Sequence, residues 1–404
     1  MKILIFTNHF YPENFKANDI AFDLAEKGHK VTVCTAIPDY PQGNFHKGYG
    51  FFKKRREIVN GVKVIRIPLI PRGKGGGLRL MLNYISFLFF SVFYALGIAL
   101  FSKFDKVFVH HTSPVTVGVP AVIVKKIQNI PLVFWNLDLW PESLIAAGGI
   151  RNKSIIAGVE KLVQFIYNNS DKILISSEGF RESILAKGNY QNKIEYFPNW
   201  AEEIFENNKL LAAEQLPNLP KGFKIMYAGN VGEAQNLEML MQAALKLREQ
   251  SQIKWIIVGD GRKLPYLKDF VKENKLEETV YLLGRFPFEY MPSFYDKADA
   301  MFLSLKDDEI FRLTVPARLQ SYMACQKPIL AMINGEAARI INKSDSGFVS
   351  KAEDVETFVE QVMEMSKLSA SELKNLGKNS KAYYHKYFLR SHKLNQIEKI
   401  LANA

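Results

Sequence analysis

Three glycine-bearing turns in the second half of this 404-residue chain carry the residue types that a phosphate site uses. They are Tyr227-Ala228-Gly229-Asn230-Val231-Gly232, Val258-Gly259-Asp260-Gly261-Arg262 and Leu283-Gly284-Arg285-Phe286-Pro287, each directly after an apolar run. Glycine lets main-chain N–H groups approach a phosphate, and a helix N-terminus favours the anion. One such turn commonly just reverses the chain, whereas three within one half point to a nucleotide phosphate. The matching turn of the first half, Asn8–Glu13, has no glycine, so the nucleotide is expected on the second half only. A fourth segment, Glu309–Ala324, should begin a helix near Pro316, because proline suits a first helical turn. Arg318 falls in that turn, where it either reaches back to a diphosphate or stays an exposed helical cation. In the first half, His110-His111-Thr112-Ser113-Pro114 ends a strand. There His111 reads either as an acceptor contact or as hydrogen-bonded loop structure.

The elements that must position these residues alternate along the whole chain. Apolar runs at Ile3–Phe6, Val31–Cys34, Val62–Ile67, Val107–His110, Leu132–Trp135, Ile173–Ser176 and Ile194–Phe197 are separated by helical patterns. A second series follows at Lys224–Ala228, Trp255–Val258, Val280–Leu283, Ala300–Leu305, Pro328–Met332 and Gly347–Val349. Strand, helix, strand at this spacing makes βαβ units and a parallel sheet. The pattern predicts an α/β protein of two Rossmann-like domains facing across a cleft. The boundaries are 1–200 and 201–383, with a terminal helix at 384–404 packing back on the first domain. The polar stretch Trp200–Lys221 is the expected join.

Composition narrows the partners. With 48% hydrophobic and 23% charged residues the chain can offset its ordering entropy, so a disordered protein is excluded. The two cysteines, Cys34 and Cys325, offer neither a disulfide framework nor metal-ligand spacing, which points to a reducing compartment. The net charge of +12 is uneven: residues 1–200 hold 25 basic against 14 acidic side chains, residues 201–404 hold 28 against 27. A polyanion or a membrane is therefore expected on one half only.

The N-terminal Met1–Phe6 reads as a first strand rather than a leader peptide. Leu80–Phe101 contains no charged residue and is long enough to span a bilayer. Strand-like segments on both sides, four small or polar interruptions and the lack of a second such run weigh against spanning, and the basic, aromatic flank favours an interfacial helix over a buried one, the three readings staying open. Lys53, Lys54, Arg55, Arg56, Arg72, Lys74 and Arg79, with Phe51 and Phe52, would then meet anionic headgroups.

At this point the chain resembles the retaining family-4 glycosyltransferases of the GT-B fold. It looks most like the bacterial members that add amino sugars of the N-acetyl-fucosamine type during O-antigen or capsule assembly. The segments carrying the resemblance are Phe10–Phe15, Thr35–Pro41, Trp135–Ser143, Pro198–Trp200, Gly229–Asn236 and Thr314–Pro328. It implies that Gly229, Asn230 and Gly232 face the donor diphosphate; Gln235 and, from the second glycine turn, Gly259, Gly261 and Arg262 are expected to bind the donor as well. Arg285 and Phe286 would lie in the loop that reads the base, and Pro316 and Arg318 at the leaving diphosphate, where relatives carry lysine. The family's glutamate pair falls on Leu313 and Ser321; Glu309 and Glu336 are expected to substitute. A histidine common in relatives is Leu137 here, which leaves Asp138 as the polar group nearest the reacting carbon, or else a cap before Pro141. Glu13, Asn14, Lys16, His111 and Trp200 are expected on the acceptor side.

The implied function is transfer of a sugar, an N-acetylated amino sugar, from a UDP-sugar to a polyprenyl-diphosphate-linked saccharide. It would occur at the cytoplasmic face of the membrane with retention and without a cofactor. No Asp-x-Asp occurs, so a metal is not expected. Two rivals stay open: a GT-B UDP-sugar 2-epimerase, which needs no membrane surface, and a basic nucleic-acid- or membrane-binding protein without catalysis.

Overall fold

The computed structural model describes residues 1–73, 77–146, 152–207, 210 and 216–404. The chain divides into two compact units, Met1–Pro198 together with Ser391–Ala404, and Asn199–Arg390. Each is a Rossmann-like α/β unit, so the fold class expected from the alternating runs is what forms.

The first unit has an eight-stranded sheet: β1 (Lys2–Thr7), β2 (Lys30–Ala36), β3 (Arg56–Val59), β4 (Val62–Ile67), β5 (Lys106–His111), β6 (Leu132–Asn136), β7 (Lys172–Ile175) and β8 (Ile194–Tyr196). Their order is β3-β4-β2-β1-β5-β6-β7-β8, all parallel except β3 against β4. Helix α1 (Lys16–Glu26) buries Ala17, Ile20, Ala21 and Leu24 and is followed by Gly28 at φ +85°. That left-handed position is one glycine fills at no steric cost. The order reverses between β1 and β5, and right-handed crossovers send the chain to opposite faces there. Ligands of such sheets bind at this reversal, beyond the carboxyl ends of the strands.

Strand β3 is an addition to the predicted elements, because its charges read as a basic flank. Asn60 at φ +48° and Gly61 at φ +80° make the tight turn that folds it onto β4. The hairpin is pinned by Arg66, which is fully buried, pairs with Glu57 and lies 4.7 Å over the Tyr49 ring.

Helix α2 (Gly77–Phe101) is two-faced in an unusual sense. Asn83, Phe87, Ser91, Ala95 and Ala99, spaced by four, are buried, and the helix packs along α3 (Gly118–Gln128). On the other side Leu78, Leu82, Ile85, Phe89, Phe93, Leu96 and Leu100 are 39–69% exposed. It is long and apolar enough to cross a membrane. Yet β4 before it and β5 after it belong to one sheet.

The second unit contains β9 (Phe223–Ala228), β10 (Ile253–Val258), β11 (Val280–Gly284), β12 (Ala300–Ser304), β13 (Ile329–Met332) and β14 (Gly347–Ser350). All neighbours are parallel, in the order β11-β10-β9-β12-β13-β14, which reverses between β9 and β12. Alternate residues of one strand face opposite layers. Thus Met226 and Ile256 pack with Phe294 and Leu319, while Ile225, Tyr227 and Ile257 pack with Leu240 and Leu267.

The tail differs from the single helix expected over 384–404. Helix Ala370–Tyr387 ends in the second unit, and a separate helix, Arg390–Asn403, lies with the first from Ser391 onward. Glu398 holds it there, bonding His29 at 2.9 Å and Lys27 at 3.2 Å, while Leu394, Ile397 and Leu401 are buried.

Candidate active site

In the second unit the three glycine turns stand side by side at the carboxyl ends of β9, β10 and β11. They are bonded to one another: Gly229 N donates to Val258 O at 2.9 Å, Val231 N to Asp260 O at 2.9 Å, and Gly259 N to Gly284 O at 2.7 Å. Gly232 N donates to the Gln235 side chain at 3.2 Å, and Gly261 N to Asp260 Oδ1 at 2.7 Å. This corrects the expected role of these residues. The amides of Gly229, Gly232, Gly259 and Gly261 already have partners inside the turns, so they are not held open for phosphate. Glycine is required for another reason: a Cβ on Gly259 would stand 1.8 Å from Gly229 O, and one on Gly261 2.2 Å from Val231 O. Gly259→Ala is therefore expected to cost roughly 2–5 kcal/mol from overlap plus strain at φ +145°. Denaturant unfolding measures it, and unchanged stability would refute the interlock.

The group left facing outward beside these turns is Arg318. It is the second residue of helix Ala317–Ala324, whose N-cap is Pro316, one position earlier in the helix frame than expected. Its guanidinium lies 4.8 Å over the Tyr227 ring, and its Cδ would be 3.3 Å from a Cβ at Gly229. One terminal nitrogen, NH1, is buried and has no hydrogen-bond partner. A buried guanidinium nitrogen with no acceptor is costly unless an acceptor arrives. A diphosphate oxygen is the acceptor this geometry suits.

Other expected donor residues divide. Gln235 holds the turn through Gly232 and Asn230, the latter at 3.4 Å, and its carbonyl accepts from Ser304 Oγ at 2.5 Å. Arg262, Arg285 and Glu309 are exposed. Phe286 packs inward, 4.8 Å from the Phe294 ring, so its side chain belongs to the core. Glu336 is 8% exposed with both oxygens on Arg339, which removes it as a free sugar ligand. Ser321, in one of the family's glutamate positions, bonds back to Ala317 O at 3.4 Å.

In the first unit a polar network occupies the reversal between β1 and β5. Thr7 Oγ1 meets His110 Nδ1 at 3.0 Å. Burial and the neighbouring His9, His111 and Lys16 push His110 down to about 3, so it is neutral. Asn136 donates to the Tyr167 hydroxyl at 2.9 Å, which leaves its oxygen to accept from His111 Nδ1 at 2.9 Å. His111 Nε2 then carries a lone pair and is buried without a partner. Burial lowers this histidine to about 4, so it offers a neutral acceptor for a hydroxyl group.

Asp138 sits just past β6, where its Oδ2 accepts from Trp140 Nε1 at 3.2 Å and its Oδ1 from Ser143, with Ser113 as a further donor. These donors are side chains, so the expected helix-capping alternative is not how its bonds are used. Burial raises its pKa, and the three donors only partly offset that.

Several acceptor-side expectations are corrected. Glu13 is 4% exposed, and its carboxylate takes His9 Nδ1 at 2.7 Å plus the Asp39 and Tyr40 amides at 2.9 and 2.7 Å. It is a post for two loops and has no free face for acceptor. Trp200 is 1% exposed, which makes it a core residue. Asn14 is exposed and Lys16 half-buried at the start of α1.

Arg72 turns inward instead of toward lipid: its amide and Nε meet Asp39 at 2.9 and 3.3 Å, and NH2 meets His9 Nε2 at 3.3 Å. Asn83 of α2 completes the chain, donating to Asp39 at 3.2 Å and to Ile70 O at 2.7 Å. Arg55 likewise bonds Arg66 O, Phe51 O and the Tyr94 hydroxyl. Phe51, Phe52, Lys53, Lys54, Arg56 and Arg79 remain exposed, Phe52 almost completely. Lys74 lies outside the described residues. Sequence reasoning misses His9, Asp39, Asn83 and Tyr227. Asp39 lies within the segment Thr35–Pro41 and Tyr227 two residues before Gly229, but Arg72 and Asn83, which meet Asp39, and Arg318, which meets Tyr227, are distant in sequence.

Two parallel-sheet units, each with its polar groups at a strand-order reversal, define the GT-B class of glycosyltransferase fold. The Glycosyl transferase 4-like domain matches residues 16–200, and Glycosyl transferases group 1 matches residues 211–383. Between them these two glycosyltransferase domain models cover most of the chain.

Among its relatives is WbjE of Pseudomonas aeruginosa, classed as a glycosyltransferase, 28% identical over 58% of this chain and 60% of that one. WcaI of Escherichia coli K12, assigned to colanic acid biosynthesis as a glycosyl transferase, is 28% identical over 70% and 71%. The chain thus aligns with under two thirds of the first of these proteins. Anabaena Alr3699/HepE, solved in complex with UDP and glucose, shares the fold with a TM-score of 0.70 and 16% identity over the full length of both chains.

Proposed function

We propose that this chain is a retaining hexosyltransferase of surface-polysaccharide assembly. It takes a sugar, an N-acetylated amino sugar, from a UDP-sugar and places it on a polyprenyl-diphosphate-linked saccharide. The observation that carries the donor half is Arg318, stacked beside the glycine turns with a buried nitrogen lacking an acceptor. The UDP held by the HepE structure supports the nucleotide, and the assignment of WcaI to colanic acid synthesis supports the pathway class.

In the reaction the bond from the anomeric carbon to the β-phosphate oxygen breaks as the acceptor hydroxyl oxygen attacks from the same face. The hydroxyl proton passes to the departing phosphate. Arg318 stabilises the charge that grows on the diphosphate, so catalysis rests mainly on positioning and electrostatics. In the first unit, the neutral His111 Nε2 accepts a hydrogen bond from a substrate hydroxyl. Asp138, fixed by its three donors, is the carboxylate that the first unit offers to a substrate.

The same reading puts the enzyme peripherally on the cytoplasmic face of the membrane, with α2 lying in the interface. The exposed apolar stripe of α2 and the outward Phe51, Phe52, Lys53, Lys54, Arg56 and Arg79 support this. A helix seated on α3 along its length, with strands of one sheet at both ends, is suited to lie on a bilayer and not to thread it.

A thermal-shift panel of nucleoside diphosphates and sugar nucleotides, run with and without EDTA, tests the donor. Ligand that binds only the native state raises the melting point. UDP and one UDP-sugar are expected to raise it equally in both buffers. A shift abolished by EDTA would refute metal independence, and no response to any uridine nucleotide would refute the donor.

A further inference from the structure

Arg318 is an outward-reaching side chain in the first turn of its helix, so something must hold its guanidinium at the turns. Helix Ala317–Ala324 does not do so by itself, because a second-position side chain has several rotamers open to it. The neighbour that limits them is Tyr227. Its ring is fully buried in the layer formed by Val231, Leu240 and Ile257, so it cannot move with the ligand. The guanidinium stacks at 4.8 Å on this fixed plane. The same tyrosine hydroxyl donates to Asn230 O at 2.5 Å and is also a hydrogen-bond partner of the Arg318 side chain, so one residue is joined to both the cation and the first glycine turn. Gly229 leaves room beside the stack: a Cβ there would stand 3.3 Å from Arg318 Cδ, a tight approach, and 3.5 Å from Arg318 NH1 and the Tyr227 hydroxyl.

We propose that Tyr227 is the positioning residue of the donor site, seating Arg318 by ring stacking so that its buried NH1 is held ready for the diphosphate. This rests on the reading of Arg318 as the diphosphate cation. Tyr227 touches no reacting atom. It acts through Arg318 by removing rotamer freedom that binding would otherwise have to freeze. Lysine can lie over a ring only as a point charge and lacks the flat guanidinium face, so this seat favours arginine.

The test is a double-mutant cycle on UDP affinity, measured by calorimetry on the full chain, with melting temperature recorded for each variant. Tyr227→Leu is expected to weaken UDP about 3–10-fold when Arg318 is present, the range a lost cation–ring contact gives. In the Arg318→Ala background the same change should have no further effect. Tyr227→Phe, which keeps the ring, should restore most of the affinity.

Equal weakening by Tyr227→Leu in both backgrounds would overturn the inference, because the tyrosine would then act on the turns and not through Arg318. If Arg318→Ala left UDP affinity unchanged, the donor reading itself would fall. Should Tyr227→Leu not melt cooperatively, Tyr227→Met supplies the same two comparisons.

Discussion

Arg318→Ala is expected to weaken UDP binding about 10–100-fold, the range for a lost charge-assisted hydrogen bond in a partly buried site. Transfer should fall further, by about 10²–10³, because charge on the diphosphate is greatest as the glycosidic bond breaks. Stability should change little, since the side chain contributes a ring stack and leaves one nitrogen without a partner. Arg318→Lys should recover part of the binding through its charge and lose the planar contact with Tyr227. The pair is read by calorimetry with UDP, by turnover with the sugar nucleotide that the thermal-shift panel selects, and by thermal melting. Near-native turnover in Arg318→Ala would remove this residue from the mechanism.

The second large effect concerns α2. Phe89→Asp with Phe93→Asp places two carboxylates in the middle of the exposed stripe, where the wild-type rings are 57% and 58% exposed. Because neither ring is part of the face buried against α3, folding should be preserved. Binding to vesicles containing anionic lipid should nevertheless be lost, as the interfacial face no longer tolerates the hydrocarbon boundary. Lys53→Glu with Lys54→Glu should act differently, weakening binding to anionic vesicles by about 1 kcal/mol per removed cation and reducing its salt dependence. Cosedimentation at several salt concentrations separates the two. Unchanged partition of the Phe89, Phe93 double variant would rule out α2 as the membrane contact.

The architecture is readable because it depends on local pattern. Thirteen apolar runs at βαβ spacing are thirteen of the fourteen strands among the described residues, and the exception, β3, is hidden by its own Arg56 and Glu57. The family resemblance is likewise carried by short segments that survive as loops at strand ends. What the pattern does not reveal is who bonds to whom across those loops. Glu13 has the residue type of an acceptor ligand, yet it is occupied by amides twenty-six and twenty-seven positions away. Arg72 and Arg55 belong by composition to a basic flank, but each is drawn inward by partners on other elements. His111 is legible as a candidate. Its chemical state is not, because the tautomer is set by Asn136 on the next strand and by Tyr167 beyond it. Arg318 stands out from its place in a first helical turn, while its seat, Tyr227, looks like any aromatic in a central strand.

The interlocked glycine turns have a consequence for the thermodynamics of donor recognition. Their main chain is fixed when the protein folds, by bonds from Gly229, Val231 and Gly259 to the neighbouring turn. The ordering entropy of that region therefore belongs to folding and is absent from the binding equilibrium. A nucleotide arriving there has no loop to close, and its affinity should measure the interactions that the nucleotide itself makes, above all with Arg318. Differences in affinity among sugar nucleotides then report the sugar and the base directly, without a conformational contribution common to all of them.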